Sequence, residues 1–151
     1  MKNNPAFTMI ELIFVIVIIS ILAATALPKL IATRDDAKVS MAAKHISDAS
    51  SEIVTYALSQ NKIEDDITKM SKVLTSMVVI KEATLIDNKT VTVKMGKIDN
   101  CVTLKLENKP NGAMLTLIFS NDNSDNICND LKNTIKFIKY PIQLTGATII
   151  R

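Results

Sequence analysis

The chain has 151 residues and a net charge of +3, from 18 basic and 15 acidic side chains. This charge is too small to indicate nucleic-acid binding by itself, and the length fits one compact domain with an extended segment. Glycine and proline are scarce, with 3 and 4 residues, so the composition excludes a mainly disordered chain.

A strongly apolar segment runs from Phe7 to Leu27, near the amino terminus. As a helix its roughly 21 residues would be about 31 Å long, close to the hydrocarbon thickness of a bilayer. In lipid the backbone must form its own hydrogen bonds, so we expect a helix despite the many Ile and Val residues.

One charge, Glu11, stands inside this apolar segment. A carboxylate in a bilayer core costs about 2.5–3.5 kcal/mol on insertion scales, so its presence indicates a function with a partner. A local explanation stays open. Thr8 to Glu11 fits the S/T-x-x-E capping box, in which the carboxylate satisfies amides at the start of a helix.

The stretch AFTMIEL, from Ala6 to Leu12, resembles the processing site of type IV pilins and of the pseudopilins of type II secretion systems. In that family a short polar leader is removed just before a Phe, and the new amino terminus is N-methylated. A Glu lies four residues beyond that Phe, as Glu11 does here, and Pro28 matches a Pro about twenty residues further on. The family usually has Gly before the cut, whereas this chain has Ala6, so we expect slower processing.

The resemblance implies a leader at 1–6, a transmembrane and assembly half-helix at 7–28, and a periplasmic pilin-like globular domain at 29–151. It implies that a prepilin peptidase cuts between Ala6 and Phe7, that Phe7 becomes N-methylated, and that the chain sits in the inner membrane. An inner-membrane assembly platform would then build it into a filament for secretion, adhesion, motility or DNA uptake. The other subunits of that filament would be copies of this chain or other pilin-like proteins.

Two residues would have roles in that assembly. Glu11 of one subunit would pair with the new α-amine of Phe7 on its neighbour and set the register between helices. Pro28 lacks an N–H and weakens the bond to the Ala24 carbonyl. It either kinks the helix at the membrane surface or marks a stretch that melts in the filament.

Two other functions stay open. The chain could be an uncut, single-span, membrane-anchored periplasmic binding protein. It could also be a secreted domain, with Ala24-Thr25-Ala26 as a signal-peptidase site and a mature chain starting at Leu27. Glu11 disfavours the secreted form, because the apolar core of a signal peptide gains nothing from a carboxylate.

The region after Pro28 continues as an amphipathic helix, so one helix is predicted from Thr8 to about Leu58, bent at Pro28. A second helix is predicted after the capping residue Asp66. The apolar stripe of the first comprises Val39, Ala42, Ile46, Ala49, Ile53 and Tyr56, and that of the second Ile67, Met70, Leu74, Met77 and Val78.

Three alternating segments predict strands, and Lys109-Pro110-Asn111-Gly112 predicts a turn that joins the second and third as an antiparallel hairpin. A third helix, started by Asp125 or Asn126, and a last strand at Ile142–Ile150 follow, separated by Pro141. The fold class is therefore α+β, with the long helix packed on a small antiparallel sheet. The strand positions are Val91, Val93, Met95; Val102, Leu104, Leu106; and Leu115, Leu117, Phe119, and the apolar positions of the third helix are Ile127, Leu131, Ile135 and Ile138.

Cys101 and Cys128 are the only cysteines. In a membrane-anchored or exported domain we expect them to form one disulfide, with free thiols as the alternative. A metal site would need further ligands, and the only histidine, His45, lies far away in sequence. We expect neither a metal nor a cofactor.

Motifs for catalysis are missing from the sequence: there is no Gly-rich phosphate loop, zinc spacing, nucleophile elbow or His-centred acid–base set. We therefore expect no enzyme. The acids at Asp35-Asp36 and Glu64-Asp65-Asp66 are interpreted as solvated caps. Lys132, Lys136 and Lys139 could touch DNA, but no aromatic residues are interleaved, so DNA binding is not supported and a solvated face is favoured.

Overall fold

The computed structural model describes residues 7–110, 112–136 and 139–145. The predicted leader, including Ala6, lies outside the described residues. The described elements are α1 (Met9–Gln60), a 3-10 helix (Ile67–Met70), α2 (Lys72–Val79), β1 (Ala83–Asp87), β2 (Thr90–Met95), β3 (Ile98–Lys109), β4 (Gly112–Phe119), α3 (Asn126–Ile135) and β5 (Ile142–Gln143).

The chain divides into two compact units, Met1–Ala37 and Lys38–Arg151. The described part of the first unit is the beginning of α1, a helix that continues through Pro28 without a break. The predicted long helix is thus confirmed, with both ends within two residues of their expected positions, while its bend at Pro28 stays a prediction.

The second unit contains a five-stranded antiparallel sheet in the order β1-β2-β3-β4-β5. The predicted hairpin is confirmed as β3 and β4, whose register ends at Lys109 opposite Gly112; Asn111 lies outside the described residues. The sequence missed β1, because this edge strand buries only Ala83 and half-buries Leu85, which leaves almost no alternation to detect.

The core lies between α1 and one face of the sheet, which confirms the α+β fold class. The predicted stripe of α1 is buried from Val39 to Ile53, while Tyr56 is half-buried. The strands contribute Val91, Val93, Val102, Leu104, Leu106, Leu115 and Leu117 to the same core.

The predicted second helix is wrong as one element, because it is two short helices. Asp66 caps the 3-10 helix, where its Oδ1 accepts the Thr68 N–H at 2.9 Å. The backbone is extended at Ser71, whose hydroxyl then caps α2 by accepting the Leu74 N–H at 2.9 Å. A side chain that can cap a helix favours a break before it.

The third helix and the last strand occur where they were predicted, but the structure describes each over fewer residues than the prediction. Asp125 is the N-cap of α3, which ends at Ile135. The predicted position Ile138 and the part of the last strand beyond Thr145 lie outside the described residues. Within the described part, Ile142–Gln143 pairs with β4, and the Leu144 N–H donates to the Ala113 carbonyl of β4 at 2.8 Å.

Candidate assembly site at the amino terminus

Thr8 and Glu11 form a reciprocal cap at the beginning of α1. The Glu11 carboxylate accepts the Thr8 N–H at 2.9 Å and the Thr8 hydroxyl at 2.8 Å, both through Oε2. The Thr8 hydroxyl oxygen in turn accepts the Glu11 N–H at 3.3 Å. This is the capping box that the sequence predicts, and it holds the carboxylate at the first turn of the helix, beside the positive end of its dipole.

The Glu11 carboxylate keeps one oxygen unused by this cap. Within the part of the chain that the structure describes, only Thr8 bonds to the carboxylate, and it does so at Oε2. Oε1 can therefore accept a hydrogen bond from another molecule without breaking the cap.

The surface around this cap is apolar and uncovered. Phe7 is 84% exposed, and the large apolar side chains between Met9 and Ile31 are exposed as well. The mean hydropathy reaches 2.8 in the most apolar window of α1, and none of that window is buried. By length and composition, α1 is the one described helix that could cross a membrane.

Polar side chains within and just after the apolar segment bond to their own helix. The Ser20 hydroxyl donates to the Ile16 carbonyl at 2.6 Å, and the Thr25 hydroxyl donates to the Leu22 carbonyl at 3.0 Å. The Thr33 hydroxyl donates to the Lys29 carbonyl at 2.9 Å. Hydroxyls satisfied in this way add little cost in lipid, so Glu11 is the distinctive polar group of the segment.

The two cysteines form the predicted disulfide. Cys101 of β3 and Cys128 of α3 are both fully buried, and their Cα atoms lie 5.8 Å apart. Asp125 holds the same junction, because its carboxylate accepts the N–H groups of Lys97, Ile127 and Cys128. These bonds, chiefly that from Lys97 and then those from Cys128 and Ile127, lower the pKa of the Asp125 carboxyl against the opposing effect of its desolvation.

Two further charged residues singled out in the sequence, His45 and Glu64, have local partners. His45 lies at the edge of the core, with Nδ1 3.1 Å from Glu82 Oε2. Glu64 accepts the Tyr56 hydroxyl at 2.6 Å and lies 2.9 Å from Lys62 Nζ. Among the described residues, no group of three or more His, Cys, Asp or Glu side chains is arranged to hold a metal ion.

Of the three lysines considered for DNA contact, Lys132 bonds to the loop before its own helix. Lys132 Nζ donates to the Asp122 carbonyl at 2.7 Å and to Asn123 Oδ1 at 3.2 Å. Its ammonium thereby ties the polar loop before α3 to the helix. This role was not predicted from the sequence. A lysine in the last turn of a short helix that follows an Asn- and Asp-rich loop is the only signal that could have indicated it.

Comparison with known proteins identifies the amino-terminal segment. Residues 1–27 match the model of the prokaryotic N-terminal methylation motif. That motif is the signature of type IV pilins and pseudopilins. It also suggests processing by prepilin peptidase and assembly with other pilin subunits. Neither the curated proteins nor the solved structures gave a match.

Proposed function

We propose that this chain is the precursor of a structural subunit of a type IV pilus or of a type II secretion-like pseudopilus. Residues 1–6 are the leader, 7–28 the membrane and assembly half-helix, and 29–151 the periplasmic domain. Prepilin peptidase cuts between Ala6 and Phe7, and Phe7 is then N-methylated. From the inner membrane, the assembly platform transfers the subunit into a filament for secretion, adhesion, motility or DNA uptake.

The observation that supports this proposal is a coincidence of position. The methylation motif at 1–27 ends where the apolar segment ends, and the capped carboxylate of Glu11 lies inside that segment, in the first turn of α1. A helix with an exposed apolar surface on all sides must have that surface covered, by lipid before assembly and by the helices of neighbouring subunits in the filament.

Glu11 supplies the register of that assembly. Cleavage before Phe7 creates an α-amine with a reference pKa of about 7.7–8.0, which is largely protonated at neutral pH. The amine of one subunit donates to Glu11 Oε1 of its neighbour, while Oε2 keeps the Thr8 cap. An unpaired carboxylate in a bilayer is costly, so the helices settle at the axial offset that pairs it.

Pro28 is the position at which α1 changes conformation during assembly. Its missing N–H leaves the helix one hydrogen bond weaker at the end of the apolar segment. Either a kink or local melting around 23–30 then adjusts the apolar half to the packing of the filament.

Glu11 substitutions test the assembly role. We expect Glu11→Gln and Glu11→Ala to insert into the membrane and to be cleaved, because both remove a charge from an apolar segment. We expect their incorporation into sheared filaments to fall at least tenfold, as measured by immunoblot against the membrane-bound pool. Thr8→Ala is the matched control, since it removes the capping hydroxyl and keeps the carboxylate. Normal incorporation of Glu11→Gln would overturn the register role.

A further inference from the structure

A small pocket opens at the proximal end of the second unit, where α1 enters the core. Its volume is about 280 Å³, several times the ~30 Å³ that one water molecule occupies. The lining includes the buried thioethers of Met77 and Met95, the exposed side chain of Met41, and the exposed lysines Lys81 and Lys94. This proximal pocket thus combines an apolar interior with a basic rim.

Lys81 occupies an unfavourable backbone conformation beside this pocket. It follows the C-terminal end of α2 with φ +64°, a region that suits glycine and costs a lysine about 1–2 kcal/mol. Its side chain is exposed, and no described residue forms an ion pair with its ammonium. By contrast, Lys94 pairs with Asp99 at 2.5 Å, and Glu82 contacts His45. The positive φ belongs to the end of α2, where the Lys81 N–H donates to the Val78 carbonyl and the Glu82 N–H to the Met77 carbonyl. The Lys81 ammonium at the pocket rim is thereby left for a partner outside its own chain.

The opposite end of the same unit carries complementary features. Leu58, in the last turn of α1, is 67% exposed. Asp65 is exposed in the loop that follows, and no described residue pairs with its carboxylate. The C-terminal end of α1 adds the negative pole of the helix dipole here. This distal end thus presents an exposed apolar side chain, and the loop that follows carries Asp65 beside the Lys62–Glu64 ion pair; about 25 Å of helix separate Leu58 from Met41.

We infer that the proximal pocket of one copy receives the distal end of a second copy, with Leu58 inserted between the methionines and Asp65 facing Lys81. The proximal pocket offers an apolar interior and the Lys81 ammonium, and the distal end offers an exposed apolar side chain and the Asp65 carboxylate. Such a contact is heterologous, so it repeats from copy to copy, and with a rotation that does not close into a ring it generates a filament rather than a dimer. Methionine suits this pocket, because its flexible thioether adapts to an inserted side chain. The inference rests on the proposed function and adds to it a contact between globular domains.

Cross-linking of the full chain in membranes of cells that carry the assembly machinery tests the contact. We expect the double variant Met41→Cys and Leu58→Cys, treated with a short bifunctional thiol reagent, to give a ladder of dimers, trimers and higher species. Either single variant should give no ladder. Leu58→Cys combined with Thr84→Cys, an exposed residue of β1, is the matched control and should also give none. Dimers from Met41→Cys alone would show a symmetric contact and overturn the inference.

Charge exchange tests the pairing of Lys81 with Asp65. In the double-cysteine background we expect Lys81→Glu and Asp65→Lys each to reduce the ladder at least fivefold, and their combination to restore it. Lys81→Gly separates the effect on assembly from the effect on folding. Glycine adopts the positive φ without strain, so the fold is not destabilised, but the charge proposed to face Asp65 is lost. The variant should unfold at the same or a higher temperature and still reduce the ladder. Lys136→Glu, an exposed lysine at the end of α3, should leave the ladder unchanged.

A cysteine in the apolar segment separates this inference from the proposed function. If Ile16→Cys cross-links between chains while Met41→Cys and Leu58→Cys do not, the subunit assembles without the proposed contact, and the inference is overturned. If none of these cysteines cross-links, the proposed filament function fails as well.

Discussion

Gly96 and Asp125 are in direct contact between the β2–β3 turn and the beginning of α3, and a Cβ atom at Gly96 would overlap the Asp125 carboxylate. Gly96 has φ +60°. The carboxylate reaches the turn through the Lys97 N–H at 3.0 Å, so the turn and the helix are held together at this point. A residue with a side chain at 96 must therefore strain the backbone and displace the group that caps α3.

Gly96→Ala should lower the free energy of unfolding of the full chain in detergent by at least about 2 kcal/mol. About 1–2 kcal/mol comes from the left-handed conformation, and the overlap with Asp125 adds to it. Urea unfolding followed by circular dichroism measures the change. Combining Gly96→Ala with Asp125→Ala should cost less than the sum of the two, because the second substitution removes the overlap. Strict additivity would contradict the contact.

Asp125 should make stability depend on pH in the acid range. Its folded-state pKa is lowered, first by the hydrogen bond from the Lys97 amide and then by those from Cys128 and Ile127. A lowered pKa means that the stabilisation is complete above the unfolded value of about 3.9 and is lost as the pH falls through the folded value.

We therefore expect Asp125→Ala to cost about 1–2 kcal/mol at pH 7, as for the loss of an N-cap, and progressively less below about pH 3.9. Thermal unfolding of both chains between pH 2.5 and 7 measures this difference. Asp130→Ala, on the exposed side of α3, serves as the control. A cost for Asp125→Ala that stays constant down to the lowest pH would contradict the role of the ionised carboxylate.

Reduction of the Cys101–Cys128 disulfide should destabilise the globular unit without affecting processing. The bridge spans a sequence separation of 27, for which the loop-entropy model gives about 3–4 kcal/mol. Unfolding with and without reductant measures the loss, and the Cys101→Ala, Cys128→Ala double variant is the control. The peptidase site between Ala6 and Phe7 is remote in sequence, so the rate of cleavage should be unchanged; a block of cleavage on reduction would show that this account is incomplete.

Lys132 should keep the loop before α3 ordered. Lys132→Met retains the aliphatic stem but loses the bonds to the Asp122 carbonyl and the Asn123 side chain. We expect a loss of about 0.5–1.5 kcal/mol, and faster hydrogen exchange at the Ser124 amide, which bonds to Asp122. Lys136→Met is the matched control. Equal exchange in the two variants would mean that the ammonium does not order the loop.

Features with strong local patterns could be predicted from the sequence. The 3–4 spacing from Val39 to Ile53 identified the buried face of α1, and the turn at Lys109–Gly112 identified the β3–β4 hairpin. The Thr8–Glu11 cap followed from a short-range rule, since both partners lie within one helical turn. The Cys101–Cys128 disulfide followed from the compartment that the amino-terminal segment implied.

Features that depend on tertiary contacts could not be predicted. β1 is recognisable as a strand only because β2 pairs with it, and its own side chains bury little. The break at Ser71 is favoured because Glu52 on α1 accepts the Ser71 hydroxyl at 2.7 Å and the Val73 N–H at 3.1 Å. The proximal pocket likewise joins α1, α2 and β2, which lie far apart along the chain.

The mass of the amino-terminal peptide of the mature chain, purified from membranes of cells that contain prepilin peptidase, tests the central claim most directly. The account predicts a peptide that begins at Phe7 and carries one additional methyl group on its α-amine. Cells without the peptidase provide the comparison for uncut chain. A mature chain that begins at Met1 in the presence of the peptidase, or at Leu27, would contradict the account.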